Sequence, residues 1–441
     1  MENFISQYNR LTNKLFRWLF REKKDVNYVF SPLSVICIMA LGASTTAGDT
    51  RKEIEHILCG NITPEQYYES LKLYLDHLAQ NNSFSLANCV CVDSSLNGSI
   101  NSKFEDCLRK RFDGKLFSAE DLNMAVNAWV EEKTHGMIKE FLSEPPEEKQ
   151  FRIGSAVSFE DEWAEEYDEK DVIHEEFTNS DGSKSKVRML KSCEKLYVED
   201  EYWEGFLKPY KRKGFSFMAV ISKDQHKLLD KDIIGSVDIA GLCAGKETIS
   251  VNVEMPEYII DSDYDLTERL KEMGVGLLFS EKADFSSFSD EWLKAEKVIH
   301  KAHIEVDRKG TKASAAGFIY GAAGNASFDD KFIWLTRPFL YAIVDDETGL
   351  PVFMGVVNHL EPNTENDGMT YLDRAKKCYG QLNRILCKLE PCMDDDGIIG
   401  DDTAENLYRK ARKICMKADL KEMNEMEEVI DQYIEEYRSK R

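Results

Sequence analysis

The 441-residue chain is predicted to be an α+β domain over residues 1–362 followed by an all-helical extension over residues 363–441. Three observations carry this. Helical and strand-like patterns alternate through residue 360 without a long linker. After Asn363 no strand signal occurs, and amphipathic helices are read instead. Between two clear strands lies Gly310-Thr311-Lys312-Ala313-Ser314-Ala315-Ala316-Gly317, a run of tiny side chains. Such a run suits a flexible surface loop. It equally suits a segment that slides into a sheet as an extra strand, because nothing in it is too bulky to enter. The run by itself leaves both readings open.

Element by element, the chain opens on a helix with Phe4, Tyr8, Leu11, Leu15 and Leu19 on one face. Thr63-Pro64-Glu65-Gln66 is a capping box with proline at the first helical position. Phe84 to Val92 reads as a strand, and Met124 to Leu142 has helical spacing at Trp129, Ile138 and Phe141. Ile153 to Trp163 is apolar enough for a central strand buried on both faces. Val298 to Val306 alternates and ends in Asp307-Arg308-Lys309. Beyond the small-residue run, Phe332 to Leu335 is strand-like. Phe339–Asp345 and Pro351–Val357 then flank the turn Asp346-Glu347-Thr348-Gly349. In the tail, Met369–Leu389 and Ala404–Tyr437 are read as two helices around an acidic break at 391–402. A helical hairpin is the expected result, either docked on the main domain or serving an unidentified protein partner.

Composition narrows the function. A hydrophobic content of 42% with 11% aromatics supports a sizeable core. A net charge of −23 repels phosphate backbones and anionic lipid, so no nucleic acid and no membrane is expected as a partner. No run of about 20 apolar residues exists to span a bilayer. Met1 to Tyr8 lacks the pattern of a secretory leader, which predicts a cytoplasmic protein, with leaderless export left open. The eleven cysteines are scattered and odd in number, so they are expected as buried reduced thiols. Cys89 and Cys91 fall on one face of a strand, a packing pattern rather than a metal site. No nucleophile elbow, phosphate loop, zinc-binding helix or complete dinucleotide fingerprint occurs. The chain is therefore expected to be no enzyme and to need no cofactor or metal.

Several motifs stand in a familiar order. They are Phe30-Ser31-Pro32-Leu33-Ser34 with Leu41-Gly42-Ala43, and Asn127-Ala128-Trp129-Val130 with Thr134-His135-Gly136-Met137-Ile138. Ser158-Phe159-Glu160-Asp161-Glu162-Trp163, Pro338-Phe339 and Phe353-Met354-Gly355-x-Val357 follow. Together, and collinear over nearly all of residues 1–360, they resemble the serpin family of protease inhibitors. The resemblance implies three β-sheets, eight or nine helices and an exposed reactive loop at about 310–331. It also implies suicide-substrate inhibition. A protease cleaves the loop, forms an acyl-enzyme and is dragged across the molecule as the loop inserts into the central sheet. Gly310 to Gly324 would extend ~50 Å as a strand, matching the ~50 Å width of a 360-residue globule.

The hinge implied by this resemblance is Gly310, Thr311, Lys312, Ala313, Ser314, Ala315, Ala316 and Gly317. In an inserted strand Thr311, Ala313, Ala315, Gly317 and Ile319 would face inward, with no proline and no inward charge. That alternation favours inhibition. The alternatives are a non-inhibitory serpin with a binding or chaperone-like role, or an inhibitor of papain-like cysteine proteases. Counting from Gly310 places the reactive bond among Ala323, Gly324 and Asn325. Only a shallow elastase- or subtilisin-like pocket favours residues this small. Phe328 is the competing site and would imply a chymotrypsin-like target. By the same resemblance Ser31, Ser34 and His300 gate sheet opening, with Ser155 where asparagine is usual. Trp163, Glu257 and Arg308 form the cluster at the top of the sheet. The charges at Glu257 and Arg308 are inverted relative to the family, which predicts a swapped ion pair.

Overall fold

The helix Pro32–Thr45 is buried along nearly its whole length, so its start is set by capping rather than by an apolar stripe. Ser31 Oγ accepts the Ser34 amide at 3.2 Å, and Pro32 takes the first turn, where a missing N–H costs nothing. The expected cap at Thr63 is present too, with the Gln66 amide 3.4 Å from its hydroxyl ahead of the helix Pro64–Leu78. The first helix, Glu2–Glu22, buries Phe4, Tyr8, Leu11, Leu15 and Leu19 as its spacing requires. The helix read over Met124–Leu142 is shorter than its pattern: it runs Leu122–Lys133. Consecutive positive φ angles at His135 (51°) and Gly136 (79°) break it. The chain then folds back, and Asn127 Oδ1 accepts the amides of Phe141 and Leu142. The apolar spacing persists there because the returning segment packs Ile138 and Phe141 beside Val126 and Val130.

This computed structural model describes residues 1–22, 26–96, 98–118, 121–143, 150–224, 237–311, 331–362, 371–389, 392, 402–416 and 420–440. They fall into two units, Met1–Asn363 and Thr364–Arg441. The strands of the first are β1 Tyr28–Phe30, β2 Phe84–Val92, β3 Lys115–Phe117, β4 Gln150–Phe159, β5 Asp161–Glu162, β6 Val172–Thr178, β7 Lys184–Glu199 and β8 Trp203–Pro209. They continue with β9 Phe215–Ser222, β10 Glu247–Pro256, β11 Tyr258–Asp265, β12 Lys294–Val306, β13 Gly310–Thr311, β14 Lys331–Trp334, β15 Phe339–Asp345 and β16 Pro351–Val357.

Among the described residues these strands join into two hydrogen-bonded sheets rather than three. One has the order β1-β16-β15-β9-β8-β7-β10-β14, with β6 also on β7. The 16-residue β7 explains the merger: Lys184–Leu190 pair with β6, Met189–Tyr197 with β10, and the last four residues with β8. The other sheet has the order β3-β2-β4-β12-β13-β5, with β11 along the far side of β12. Its strand β4 is buried from Phe151 to Phe159, as a two-sided central strand should be.

The second unit is helical: Tyr371–Lys388, Asp402–Met416 and Leu420–Lys440. The helix expected over Ala404–Tyr437 is thus two helices. One helix of that length would extend ~50 Å and hold its two apolar stripes apart. Split, it buries Ala404, Ala411, Met423, Ile430 and Ile434 against Cys378, Leu382 and Ile385. Glu427 lies between Lys388 (2.9 Å) and Arg384 (3.4 Å) at the seam.

Candidate functional site

The two central strands β4 and β12 run parallel and pair from Gln150↔Lys294 to Val157↔Ala302. Beyond that pair they part, and β13 fills the opening at the upper end. Thr311 pairs with Val306 on one side, and Gly310 and Thr311 pair with Glu162 and Asp161 of β5 on the other. Gly310 is required there, since a Cβ would stand 2.1 Å from the Asp161 carbonyl oxygen.

The turn from β12 into β13 is Asp307-Arg308-Lys309-Gly310. The Asp307 carboxylate accepts the amides of Lys309 (2.7 Å) and Gly310 (3.0 Å), and the Asp307 amide donates to the Gly310 carbonyl at 3.0 Å. Each remaining carbonyl of the turn is held from outside. The Trp163 indole donates to Asp307 O at 2.8 Å and its backbone amide to Lys309 O at 2.8 Å, while the Tyr167 amide donates to Arg308 O at 3.0 Å. Trp163 is 1% exposed and stacks on Tyr210, ring centroids 4.8 Å apart at 11°. Tyr210 in turn places its hydroxyl 2.5 Å from Thr311 Oγ1. Beneath them the ammonium of Lys208 lies 4.4 Å from the Tyr167 ring and 2.7 Å from Glu194, in a pair almost wholly buried.

Trp163, Glu257 and Arg308 are thus gathered at the top of the sheet, but the swapped pair expected between Glu257 and Arg308 is not formed. Glu257 meets Arg188 of β7 at 2.8 Å instead. Burial raises the Glu257 carboxyl above its ordinary value, Arg188 opposes that, and Arg308 acts more weakly. The reason is register: Pro256 pairs with Met189, which sets Arg188 beside Glu257, whereas the backbone of Arg308 is held in the turn. Arg188→Ala is therefore expected to lower stability by about 1–3 kcal/mol, because it strands a mostly buried carboxylate. Arg308→Ala should change it little. Thermal midpoints at a fixed scan rate check this, and equal losses from the two variants would contradict the assignment.

Ser31, Ser34, Ser155 and His300 meet under the centre of the same sheet, all fully buried. His300 Nε2 accepts the Ser31 amide at 3.1 Å, so the neutral ring carries its proton on Nδ1. That proton goes to Ser34 Oγ (2.9 Å), whose own hydroxyl donates to the Ser155 carbonyl at 3.3 Å. Burial pushes the imidazole down to about 4. Ser155 takes part through its backbone, and its hydroxyl has no hydrogen-bond partner among the described residues. Lower down, Arg152 of β4 grips Glu296 of β12 bidentately at 2.7 and 2.8 Å, tying the two strands that flank the opening.

Lys312, Ala313, Ser314, Ala315, Ala316 and Gly317 of the hinge lie outside the described residues. So do Ala323, Gly324 and Asn325 of the expected bond, and the competing Phe328. The sequence reading missed Tyr210, Tyr167, Arg188 and the Lys208–Glu194 pair. Among the described residues ten cysteines stand outside any disulfide, and Cys89 and Cys91 are buried with their sulfurs 4.0 Å apart.

The family model described as "Serpin (serine protease inhibitor)" matches residues 6–360. The chain belongs to the serpin family. The serpin is 30% identical over 367 residues to plasminogen activator inhibitor 1 of Sus scrofa, covering 79% of this chain and 90% of that one. Among solved structures, the native state of the thermophilic serpin tengpin superposes with a TM-score of 0.73 at 27% identity, over 82% of this chain and 95% of tengpin. Thyroxine-binding globulin in complex with thyroxine has a TM-score of 0.71 at 21% identity, covering 81% and 99%, a likeness of fold alone. The serpin match ends at residue 360, just before the helical unit begins.

Proposed function

We propose that this serpin inhibits a serine protease as a suicide substrate, with an elastase- or subtilisin-like enzyme as the target and cleavage after Ala323 or Gly324. One observation carries the reading. The strands β4 and β12 part above Val157↔Ala302, β13 occupies the top of that gap, and the chain continues as Lys312-Ala313-Ser314-Ala315-Ala316-Gly317, in which every residue after Lys312 is small and no proline bars extension of the strand. Roughly a dozen added backbone bonds at about 1 kcal/mol each rival the 5–15 kcal/mol that keeps a protease folded. The native chain must then be metastable and kinetically held. The same chemistry extends to papain-like cysteine proteases as the second target class. We place the encounter in the cytosol, a reading supported by cysteines that stand outside any disulfide and are largely buried.

The test is denaturing electrophoresis after mixing with elastase, subtilisin, chymotrypsin and papain. A heat-stable adduct with elastase or subtilisin is expected, and mass spectrometry of the released fragment should find it starting at Gly324 or Asn325. A start at Asp329 would replace this target class with a chymotrypsin-like one. Cleavage without adduct for every enzyme would select a non-inhibitory binding serpin instead.

A further inference from the structure

The reactive loop does not leave the sheet where β12 ends. It turns through Arg308-Lys309, and its first two residues are already paired on both sides, with Thr311 1% exposed. Thr311 points toward the core, the side that strand alternation assigns to it. There it meets the Tyr210 hydroxyl at 2.5 Å, and the Tyr210 ring is fixed by its stack on Trp163. Trp163 also holds the turn through two hydrogen bonds.

We infer that Tyr210 is a positioning residue for loop insertion: through Thr311 it keeps the first two residues of the inserting strand in place before any protease arrives. This rests on the inhibitory reading above. Insertion competes with hydrolysis of the acyl-enzyme, so its rate decides between a trapped protease and a merely cleaved loop. Starting a strand is the slow part, because residues must be ordered before their bonds accumulate. A chain whose hinge already occupies the slot begins past that step. The polar contact persists as further residues enter, since Thr311 keeps its place. Losing it lets the hinge leave the sheet, and insertion must then recapture it. One hydrogen bond corresponds to an expected fall of up to about fivefold in the ratio of trapped to cleaved product.

The experiment uses the full chain, wild type, Tyr210→Phe and Thr311→Val. Both variants keep the ring or the branched shape and lose one hydroxyl. Hydrogen exchange is measured on the peptide containing Gly310 and Thr311, and adduct and cleaved product are quantified with subtilisin. Slow exchange in the wild type is expected, with faster exchange and a lower trapped-to-cleaved ratio in both variants. Exchange in the wild type as fast as in a free loop overturns the inference, whatever the adduct assay gives. Protection unchanged in both variants also overturns it. Protection lost in the variants when no chain forms adduct supports the hinge placement and sinks the inhibitory reading alone.

Discussion

A Gly310→Val variant should release the strand β13 from the sheet and turn protease trapping into simple loop cleavage. A side chain at 310 would start 2.1 Å from the Asp161 carbonyl oxygen and 2.7 Å from Glu162 Cα. Both are backbone atoms of a strand, so neither can swing aside as a flexible side chain could. Either β5 shifts or β13 leaves. Both have two residues, but β5 is also tied by Ser83 on the Asp161 carboxylate (2.6 Å) and by the Lys211 amide on the Glu162 carbonyl (2.7 Å), so β13 is expected to give way. The expected cost is about 3 kcal/mol, at the upper end of overpacking effects. On a gel the adduct band should fall away while the cleaved band grows. Adduct at wild-type yield would show that β13 can be dispensed with. Gly310→Ala should behave the same way, because the clash arises at Cβ itself.

The second large effect is acid sensitivity through His300. Its folded value is about 4 against the ordinary 6.5, so folding favours the neutral ring. The contribution is whole above pH ~6.5, where neither state is protonated, and shrinks as pH falls towards ~4, because the unfolded chain takes up the proton first. Two and a half pH units amount to about 3 kcal/mol. Structurally, a proton on Nε2 would face the Ser31 amide, setting donor against donor at 3.1 Å. The other groups around the ring are Ser34, the Ser155 backbone and Tyr264, whose ring lies parallel at 6.2 Å. None of them offers a negative charge to hold an imidazolium. Because the native state is proposed to be kinetically held, the measurement is the unfolding rate in denaturant between pH 7 and 4. The wild type should accelerate steeply below pH 6.5, and His300→Gln, starting faster, should lack most of that slope. Parallel profiles would remove His300 as the cause.

Much of this was legible in the sequence, because it is local. The Ser31-Pro32 start, the Thr63 cap and the strands Phe84–Val92 and Phe339–Asp345 depend on neighbours a few residues away. The motifs around Phe30 and Asn127 carried the family, and Ser31, Ser34 and His300 came together under the sheet. What was not legible depends on register between distant strands. The partner of Glu257 is fixed by how β7 lies along β10, which no pattern near Glu257 reveals. The long helix over 124–142 fails at His135 and Gly136, whose positive φ angles fold the chain back, while the apolar spacing at Ile138 and Phe141 runs on past the break. One signal was available and went unused. Asp307-Arg308-Lys309-Gly310 has an acidic side chain at its first position and glycine at its fourth, as tight turns favour, and could have announced the hairpin into β13.

The helical unit after residue 363 follows directly from β16, and β15 and β16 sit inside the nine-stranded sheet, with β9 on one side and β1 on the other. Scission in the loop would therefore divide the chain into two pieces that remain interlocked. The downstream piece, Asn325 to Arg441 if the bond is Gly324–Asn325, would carry β14, β15, β16 and the three helices described in the second unit. It would be held without a covalent link, by sheet hydrogen bonds and by the core packing of β15 and β16, while the upstream piece is covalently joined to the protease. Whatever binds the helical unit would then be carried along with each captured enzyme. A label at the C-terminus would follow intact inhibitor, native complex and spent product alike, and would separate from the protease only on denaturation.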